Sequence, residues 1–409
     1  MGIPVAWELC TFGSPPRPTL VVGVTHPQTC LILSARLRRL RNAGFQVVLI
    51  ASPGALLERV AAEAQVEFIP LPMERGIAPW ADLRSLLRLV KVLLRIRPQI
   101  AEFSTPKAGL LGMLAATFCG VPRRIYLLRG LRLETVRGFK RRMLLWSERI
   151  ACGCAHVVLC NSHSLRAQAV GLRLVRPGKV TILGQGSSVG VDLTRFRPGQ
   201  SHVREDLGWS SRHHVIGFVG RLTRDKGLPE LIEAFERVAS SDPLARLLLV
   251  GWFDAAEDAL SEALRLRIAN DPRIRCTGFV CDTAPYYRAM DVMVLPTWRE
   301  GFPNAVLEAQ ASVVPVITTL ATGSRDSVIP EVTGLLIPAG SVEAITDSVR
   351  KLLGDEGRRQ QMGRAARRWV REHYADHKVL RLNAEFYSDM SDALRAGSPG
   401  VQEESARFV

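Results

Sequence analysis

Short apolar, β-branched runs alternate with segments of helical periodicity along the whole chain, and each kind predicts one element. The apolar runs predict strands in the first half at residues 20–24, 46–51, 67–71, 100–104, 124–128, 156–160 and 179–183. In the second half they predict strands at 214–219, 246–250, 274–279, 292–295, 315–318 and 334–337. Helical spacing fills segments between them, such as 34–42 and 81–96. This alternation predicts an α/β protein with two doubly wound parallel sheets.

Pro198 and Gly199 interrupt the alternation between the two halves. The sequence therefore predicts one domain over residues 1–197 and a second over 198–378. A last helical pattern covers 379–394, and the small, polar residues of 396–409 predict a loose tail. Because parallel sheets bind ligands at the carboxyl ends of their strands, we expect a cleft where the two sheets face each other.

Two carboxylates, Glu300 and Glu308, lie eight residues apart where an apolar strand gives way to a helical segment starting near Asn304. Gly301 and Pro303 break the chain between strand and helix. The first N–H groups of that helix and the two carboxylates are expected to face one space, which suits phosphate and sugar hydroxyls together. The pattern also fits an ordinary helix cap with surface glutamates.

A second run, residues 215–227, predicts a strand, a glycine-containing loop and a helix over 228–239. Gly220 and Gly227 allow close backbone approach. Arg221 offers a bidentate fork for phosphate, and Lys226 offers a mobile point charge. A solvated basic turn is the alternative interpretation.

These two runs resemble glycosyltransferase family 4, whose members have the GT-B fold and retain the anomeric configuration of the sugar. The resemblance rests on Gly-Arg-Leu at 220–222, Asp-Lys-Gly at 225–227, Glu-Gly-Phe-Pro-Asn at 300–304 and Glu-Ala at 308–309. The segments 104–112, 129–135 and 184–192 resemble a bacterial branch that builds capsular, exopolysaccharide or lipid-linked glycans. The match covers roughly residues 20–375.

The resemblance implies that a nucleotide sugar, most often a UDP-sugar, binds the second domain. Three residues take catalytic roles: Arg221 and Lys226 neutralise the leaving diphosphate, and Glu300 contacts the donor sugar. Glu308 accepts from the ribose hydroxyls, and a loop at 278–280 binds the base. The full implied donor set is Gly220, Arg221, Lys226, Val280, Glu300, Gly301, Phe302, Pro303, Asn304 and Glu308. It also implies that the helix over 379–394 crosses back onto the first domain.

Two cations of the first domain are candidates for acceptor binding. Lys107 stands at a predicted helix N-terminus, where a cation is disfavoured unless an anion is bound or its side chain reaches solvent. Arg129 follows a strand at a position where similar enzymes often carry histidine, and Gln185 stands in a comparable place. Histidine-based proton transfer is therefore not expected at these positions. For His26 and His163 we favour structural roles.

Charge is unevenly divided between the halves. Residues 1–200 carry 28 Lys and Arg against 10 Asp and Glu, a net charge of +18, and the remainder carries 26 against 29, a net charge of −3. The first half therefore predicts an anionic partner, either a membrane surface or nucleic acid. With 6% aromatic residues and no nucleic-acid motif, we expect no nucleic acid. A non-catalytic nucleic-acid binder, a sugar-nucleotide epimerase and a phosphorylase stay open as alternatives.

Two basic, leucine-rich stretches indicate how a membrane would be contacted. Arg84, Arg88 and Lys91 fall on one stripe of the helix predicted over 81–96, and Lys140, Arg141 and Arg142 form a similar mixture near Trp146. The alternative is a core-facing helix with a solvated basic face.

The remaining composition predicts a reducing compartment, and the resemblance implies a cytoplasmic location at the inner face of the membrane. No apolar run reaches 18 residues, no secretory pattern opens the chain, and eight scattered cysteines favour free thiols over zinc. No Asp-x-Asp pair suits a metal, so we expect a metal-independent enzyme without cofactor. The acceptor implied by the resemblance is a glycan linked to undecaprenyl diphosphate.

Overall fold

The computed structural model describes residues 17–396, except residues 75, 77 and 255–257. The predicted loose tail lies outside the described residues beyond Ala396. The described chain contains two parallel sheets, flanked by helices. The α/β class and its two parallel sheets are therefore confirmed.

The first sheet has seven parallel strands in the order β3-β2-β1-β4-β5-β6-β7. They are β1 Thr19–Gly23, β2 Gln46–Ala51, β3 Glu67–Pro70, β4 Ile100–Ser104, β5 Arg123–Leu128, β6 Val157–Cys160 and β7 Val180–Thr181. The strand order reverses between β1 and β4, which is where doubly wound sheets open a ligand crevice.

The second sheet has six parallel strands in the order β10-β9-β8-β11-β12-β13. They are β8 His214–Val219, β9 Ala245–Val250, β10 Ile274–Cys276, β11 Val292–Leu295, β12 Val316–Thr319 and β13 Gly334–Ile337. Its order reverses between β8 and β11, the two strands that lead into the segments 220–227 and 300–309.

Fifteen α-helices surround these sheets within the described residues. They are α1 Pro27–Cys30, α2 Ser34–Asn42, α3 Ala55–Ala64, α4 Pro79–Ile96, α5 Pro106–Phe118, α6 Gly138–Cys154, α7 His163–Gly171, α8 Val203–Asp206, α9 Leu228–Ala239, α10 Glu262–Asn270, α11 Ala284–Arg288, α12 Asn304–Ala311, α13 Val342–Leu353, α14 Glu356–His373 and α15 Asp376–Arg395. Helices α4 to α7 share a core on one face of the first sheet, and α1, α2, α3 and α15 share the core on the other face.

The last helix, α15, packs on the first sheet although it follows the second in sequence. It meets α2 through a buried polar cluster in which the Arg36 guanidinium donates to Glu102 (2.7 Å), Asn383 (3.0 Å) and Tyr387 (2.8 Å). Tyr387 also donates to Glu102. Because a buried arginine is costly without partners, this cluster ties α15 to the first sheet at one register. Helix α15, which contains residues 379–394, therefore packs on the first sheet.

Predicted strand ends differ from the observed ones mainly at the sheet edges. The runs at 179–183 and 274–279 give only Val180–Thr181 and Ile274–Cys276. Both are edge strands with one neighbour, so fewer ladder hydrogen bonds extend them. Gly278, with φ of 70°, then turns the chain away after β10.

Candidate functional site

The loop after β8 lies directly against the end of β11. Gly227 has φ of 75°, and a Cβ there would overlap the carbonyl oxygen of Pro296. Only glycine allows both this backbone conformation and this approach. The Asp225 carbonyl then accepts from the Trp298 N–H (2.9 Å) and the Thr297 hydroxyl (3.2 Å). The two sequence motifs are thereby joined into one site.

Two of the three catalytic candidates, Lys226 and Glu300, form an ion pair. The Lys226 ammonium donates to the Glu300 carboxylate, and both side chains are mostly buried. The Glu300 N–H donates to the Thr322 carbonyl (2.9 Å), which fixes the loop against the segment after β12. The structure thus brings Lys226 and Glu300 together, but as partners of each other.

Arg221 also has carboxylate partners. Its guanidinium donates to Asp254 (3.0 Å) and lies 3.8 Å from Asp225. Burial alone would lower the pKa of Arg221, but the two carboxylates outweigh burial and raise it. Arg221 is therefore charged at any physiological pH. Any phosphate must compete with Asp254 for its N–H groups.

Arg299 is a site residue to which the sequence interpretation assigned no role. It donates to Asp225 (2.8 Å) and, from Nε, to the Thr135 hydroxyl of the first sheet's unit (3.0 Å). Burial would raise the pKa of Asp225, but Arg299 and Lys226 outweigh burial and lower it, so Asp225 is ionised. The only sequence signal for a role of Arg299 was its position inside the motif at 298–309.

Helix α12 begins at Asn304 as predicted, with Pro303 at the N-cap. The Phe302 ring is buried against Tyr374, with 5.1 Å between ring centroids, so this side chain packs in the core. Asn304 and Ala305 are half-buried and open the first turn of the helix. The backbone N–H groups of this first turn are available to face a ligand as anion donors.

Glu308 lies in the second turn of α12 and is half-buried. It accepts from the Tyr287 hydroxyl (2.8 Å) and the Thr283 hydroxyl (3.5 Å). Burial raises the pKa of Glu308 to about 7, against the opposing effect of the Tyr287 hydrogen bond. This carboxyl therefore changes protonation near neutral pH.

The expected base-binding loop carries an exposed aromatic side chain. Phe279 lies edge-on to Trp252, with 5.5 Å between centroids, and Gly278 pairs with Gly251 at the end of β9. Val280 is half-buried against the core of the second unit. Sequence reasoning named Val280 but missed Trp252, which no local pattern connects to residue 279.

The first unit meets this site at Arg129 and Gly130. A Cβ on Gly301 would overlap the Arg129 carbonyl oxygen, so glycine at 301 permits the contact. The Arg129 guanidinium donates to Ser104 (3.3 Å) and Ser188 (3.1 Å), while its Nη2 is buried without a partner in the described structure. Burial lowers the pKa of Arg129 to about 10.

Further hydrogen bonds join the two units beside this contact. Thr322 donates to Glu134 (2.6 Å), and Ser164 contacts both Asp326 (3.0 Å, through its N–H) and the Gly323 N–H (2.7 Å). Burial raises the pKa of Glu134 against the effects of Thr322 and Arg299. The units are therefore in contact along the edges where their strands end.

Lys107 has a partner within the protein. Pro106 is the first residue of α5 as predicted, and the Lys107 side chain is mostly buried and does not extend into solvent. It forms a mostly buried ion pair with Asp82 (2.5 Å) and donates to the Gly76 carbonyl. Helices α4 and α5 pack side by side with their first turns adjacent, which places Asp82 within reach.

The predicted membrane stripe lies on the surface. Arg84, Arg88 and Lys91 of α4 are exposed, and so are Arg141 and Arg142 of α6, while Lys140 is half-buried. Large apolar side chains are exposed on the same helices: Trp80, Leu83, Leu87, Leu94, Phe139, Trp146 and Ile150. These residues lie on α4 and α6, on either side of α5. The stripe is thus mixed basic and apolar.

Neither a metal cluster nor a spanning helix is found in the part of the chain that the structure describes. No three His, Cys, Asp or Glu side chains there group as metal ligands. None of the described helices combines the length and apolar character needed to cross a bilayer.

His26 accepts from the Gln28 N–H (3.3 Å) and caps α1.

Two family models and related sequences match most of the chain. The family model for group 1 glycosyl transferases matches residues 213–355, and a glycosyl transferase 4-like domain matches 33–186. The capsular polysaccharide biosynthesis glycosyltransferase CapM of Staphylococcus aureus is 36% identical, over 87% of this chain and 93% of its own. The Escherichia coli UDP-Gal:α-D-GlcNAc-diphosphoundecaprenol α-1,3-galactosyltransferase is 27% identical, over 78% and 82% of the two chains.

The fold is also that of solved glycosyltransferase structures. Anabaena HepE, solved with UDP and glucose, superimposes with a TM-score of 0.74 at 19% identity, over 91% of this chain and all of that one. Two parallel-sheet units in contact at their strand ends are the architecture of the GT-B fold. The chain belongs to the glycosyltransferase family 4-like, group 1 enzymes.

Proposed function

We propose that this enzyme transfers a sugar, with retention of configuration, from a UDP-sugar to a diphosphate-lipid-linked glycan in bacterial capsule or related surface polysaccharide synthesis. The observation that carries this proposal is the convergence of Arg221, Lys226 and Glu300 beside the start of α12. The relatives support it: one is a capsular glycosyltransferase, and another uses UDP-Gal and a diphosphoundecaprenol acceptor. The family match favours transfer over epimerisation, phosphorolysis or nucleic-acid binding.

In the proposed donor site, the diphosphate of the nucleotide sugar replaces the carboxylates that pair with Lys226 and Arg221. Without donor, Lys226 is paired with Glu300 and Arg221 with Asp254. A diphosphate entering between them offers each cation a more highly charged partner. Glu300 is then free to accept from a sugar hydroxyl. As the diphosphate leaves the sugar it gains charge, and Arg221 and Lys226 stabilise that charge without a metal ion.

The acceptor is proposed to bind above Arg129. Its Nη2 is buried without a partner, and its backbone contacts Gly301 of the donor loop. Leaving a buried guanidinium N–H unsatisfied is costly, and a phosphate oxygen of the acceptor would supply the missing partner. Lys107 is already paired with Asp82 and is not proposed to contact the acceptor directly.

The membrane surface is proposed to lie against α4 and α6. Exposed cations there attract anionic headgroups, and exposed Trp80 and Phe139 suit the interface between headgroups and acyl chains. Both residues stand at the first turns of their helices. In a parallel α/β unit those turns lie at the edge where the strands end, beside the cleft. The enzyme would then act at the inner face of the cell membrane.

The test is a transfer assay with purified protein, labelled UDP-sugars and a bacterial lipid extract. We expect label in the lipid-linked fraction, the anomeric configuration of the donor in the product, and full activity in EDTA. Release of free monosaccharide or an epimerised nucleotide sugar, with no labelled lipid, would contradict the proposal. Loss of transfer in EDTA that Mg²⁺ restores would remove metal independence alone.

A further inference from the structure

A second cavity lies at the edge of the first sheet where its strands begin, opposite the donor site. It is bounded by the end of α6, the end of α7 and the segment leading into β7, and its volume is about 710 Å³. Its walls are formed by Arg149, Cys152, Gly153, Val170, Arg173, Leu174, Val175, Arg176, Pro177 and Lys179. Four of these ten residues are cations, and none is Asp or Glu.

The four cations have no carboxylate partner in the described part of the chain. Lys179 donates to the Gly153 carbonyl (2.8 Å), and Arg149 donates to the Leu172 carbonyl (3.3 Å). Both therefore cap helix C-termini, which is a structural role. Arg173 and Arg176 are exposed, and their guanidinium groups make no hydrogen bond to the described residues. The N–H groups of these two arginines are therefore available to donate hydrogen bonds to a ligand.

The positive field of this region is uncompensated. Burial lowers the pKa of His156 to about 4, and Arg124, Arg123 and Lys179 push it in the same direction. The pKa of Lys179 is lowered by burial and also by Arg124 and Arg176. By contrast, the buried Arg36 guanidinium is paired with the Glu102 carboxylate. An external anion would therefore find here a charge deficit that the chain leaves unfilled.

The backbone at Arg173 adds an independent observation. This residue has φ of 53° and occupies the position after α7 where the chain reverses: its N–H donates to Val170 (2.9 Å), and the Leu174 N–H donates to Ala169 (2.9 Å). Glycine is the residue that adopts this conformation without strain. Arginine stands there on the wall of the cavity, as Gln65 and Arg97 stand in the same conformation at the ends of α3 and α4.

An apolar surface adjoins the cavity. On α6, Trp146 and Ile150 are exposed beside Arg149, at helical spacing with the cavity residue Gly153. The Arg149 guanidinium lies over the Trp146 ring, 5.8 Å from its centroid. A ligand whose phosphate enters the cavity could therefore place an attached apolar group against Trp146 and Ile150.

We propose that this cavity is an anion site that binds the phosphate group of a lipid headgroup or of a small soluble phosphate, through Arg173 and Arg176. The site lies at the opposite edge of the sheet from Arg129 and is separate from donor and acceptor binding. Arginine pairs with phosphate bidentately, and two unpartnered guanidinium groups suffice to hold one phosphate. The apolar strip leads us to expect the lipid-borne phosphate to bind more tightly than the free ion.

The test compares the full-length double variant Arg173→Glu, Arg176→Glu with wild type. Its matched control is Arg38→Glu, Arg39→Glu, which makes the same charge change at exposed positions of α2, on the other face of the sheet. Three probes are used: inorganic phosphate by calorimetry, neutral vesicles doped with phosphatidic acid, and neutral vesicles doped with oleic acid, an anionic lipid without phosphate. A milder variant, Arg176→Gln, guards against misfolding.

We expect the cavity variant to bind phosphatidic acid vesicles at least about tenfold more weakly than the control, while oleic acid vesicles distinguish the two far less. If the cavity variant loses affinity for inorganic phosphate alone, the site binds a soluble phosphate. If it loses affinity for phosphatidic acid vesicles alone, the site binds a lipid headgroup. Equal loss with oleic acid would identify a general basic surface and overturn the site. Unchanged binding of both phosphate probes, in the folded double variant and in Arg176→Gln, would also overturn it.

Discussion

Arg221 and Lys226 are the residues whose removal should affect chemistry most. Each is positioned to meet charge that develops on the leaving diphosphate, so Arg221→Ala and Lys226→Ala should each lower kcat by on the order of a hundredfold, or about 3 kcal/mol. Steady-state kinetics on the folded variants measures this. Arg224→Ala is the matched control, because Arg224 is an exposed cation of the same loop. Near wild-type rates for both cation variants would show that the donor binds elsewhere.

Glu308 should act on donor affinity and not on the chemical step, because the ribose does not change during reaction. Its pKa of about 7 means that the carboxylate forms as pH rises through neutrality, so KM for the donor should fall over that range. Glu308→Gln should raise KM more than it lowers kcat and should remove this pH dependence.

Tyr287→Phe serves as the second variant for the same carboxyl. Its hydroxyl lowers the pKa of Glu308, so its loss should move the midpoint of the KM profile to higher pH. Initial rates at a series of pH values measure both variants. A KM that is unchanged in Glu308→Gln would rule out a donor contact.

At the scale of elements, the packing of α6 on β5 should make stability depend on pH. Glu148 is buried and accepts from the Tyr126 hydroxyl (2.8 Å), and burial raises its pKa from 4.5 to about 7. A raised pKa means that the folded state holds the proton more tightly than the unfolded state. The stabilisation is therefore complete below pH 4.5 and is lost as pH rises through about 7, on the order of 3 kcal/mol in all.

Glu148→Gln should remove this part of the pH dependence. Denaturation midpoints measured at about pH 5 and about pH 8 should differ less in the variant than in wild type. Glu343→Gln changes an exposed glutamate at the start of α13 and should follow wild type. Parallel pH curves for Glu148→Gln and wild type would show that Glu148 does not carry the effect.

At the scale of the whole molecule, the charge difference between the halves should direct binding to membranes. The protein should bind anionic vesicles peripherally and lose affinity as salt rises, because salt screens the cations of α4 and α6. Arg141→Glu with Arg142→Glu should weaken binding by roughly tenfold or more, at about 1 kcal/mol for each charge near the surface.

Vesicle sedimentation at several salt concentrations measures this, with Arg38→Glu, Arg39→Glu as the charge-matched control on the opposite face. Equal binding to neutral vesicles, or no binding to anionic vesicles at low salt, would contradict a membrane role. A control variant that loses as much affinity as Arg141→Glu, Arg142→Glu would show that net charge, and not this face, determines binding.

The sequence alone determined most of the helices and strands and the two motifs at 220–227 and 300–309. Periodicity and turn residues are local properties, so α2 and β8 were predicted to the residue, and α12 was predicted to begin near Asn304, where it does begin. Tertiary structure decided the partners. Lys226 meets Glu300 across 74 residues, Glu134 meets Thr322 across 188, and Lys107 meets Asp82 across 25. Such pairs depend on how distant loops are brought together by the two sheets, and no local pattern encodes which carboxylate a given cation will reach.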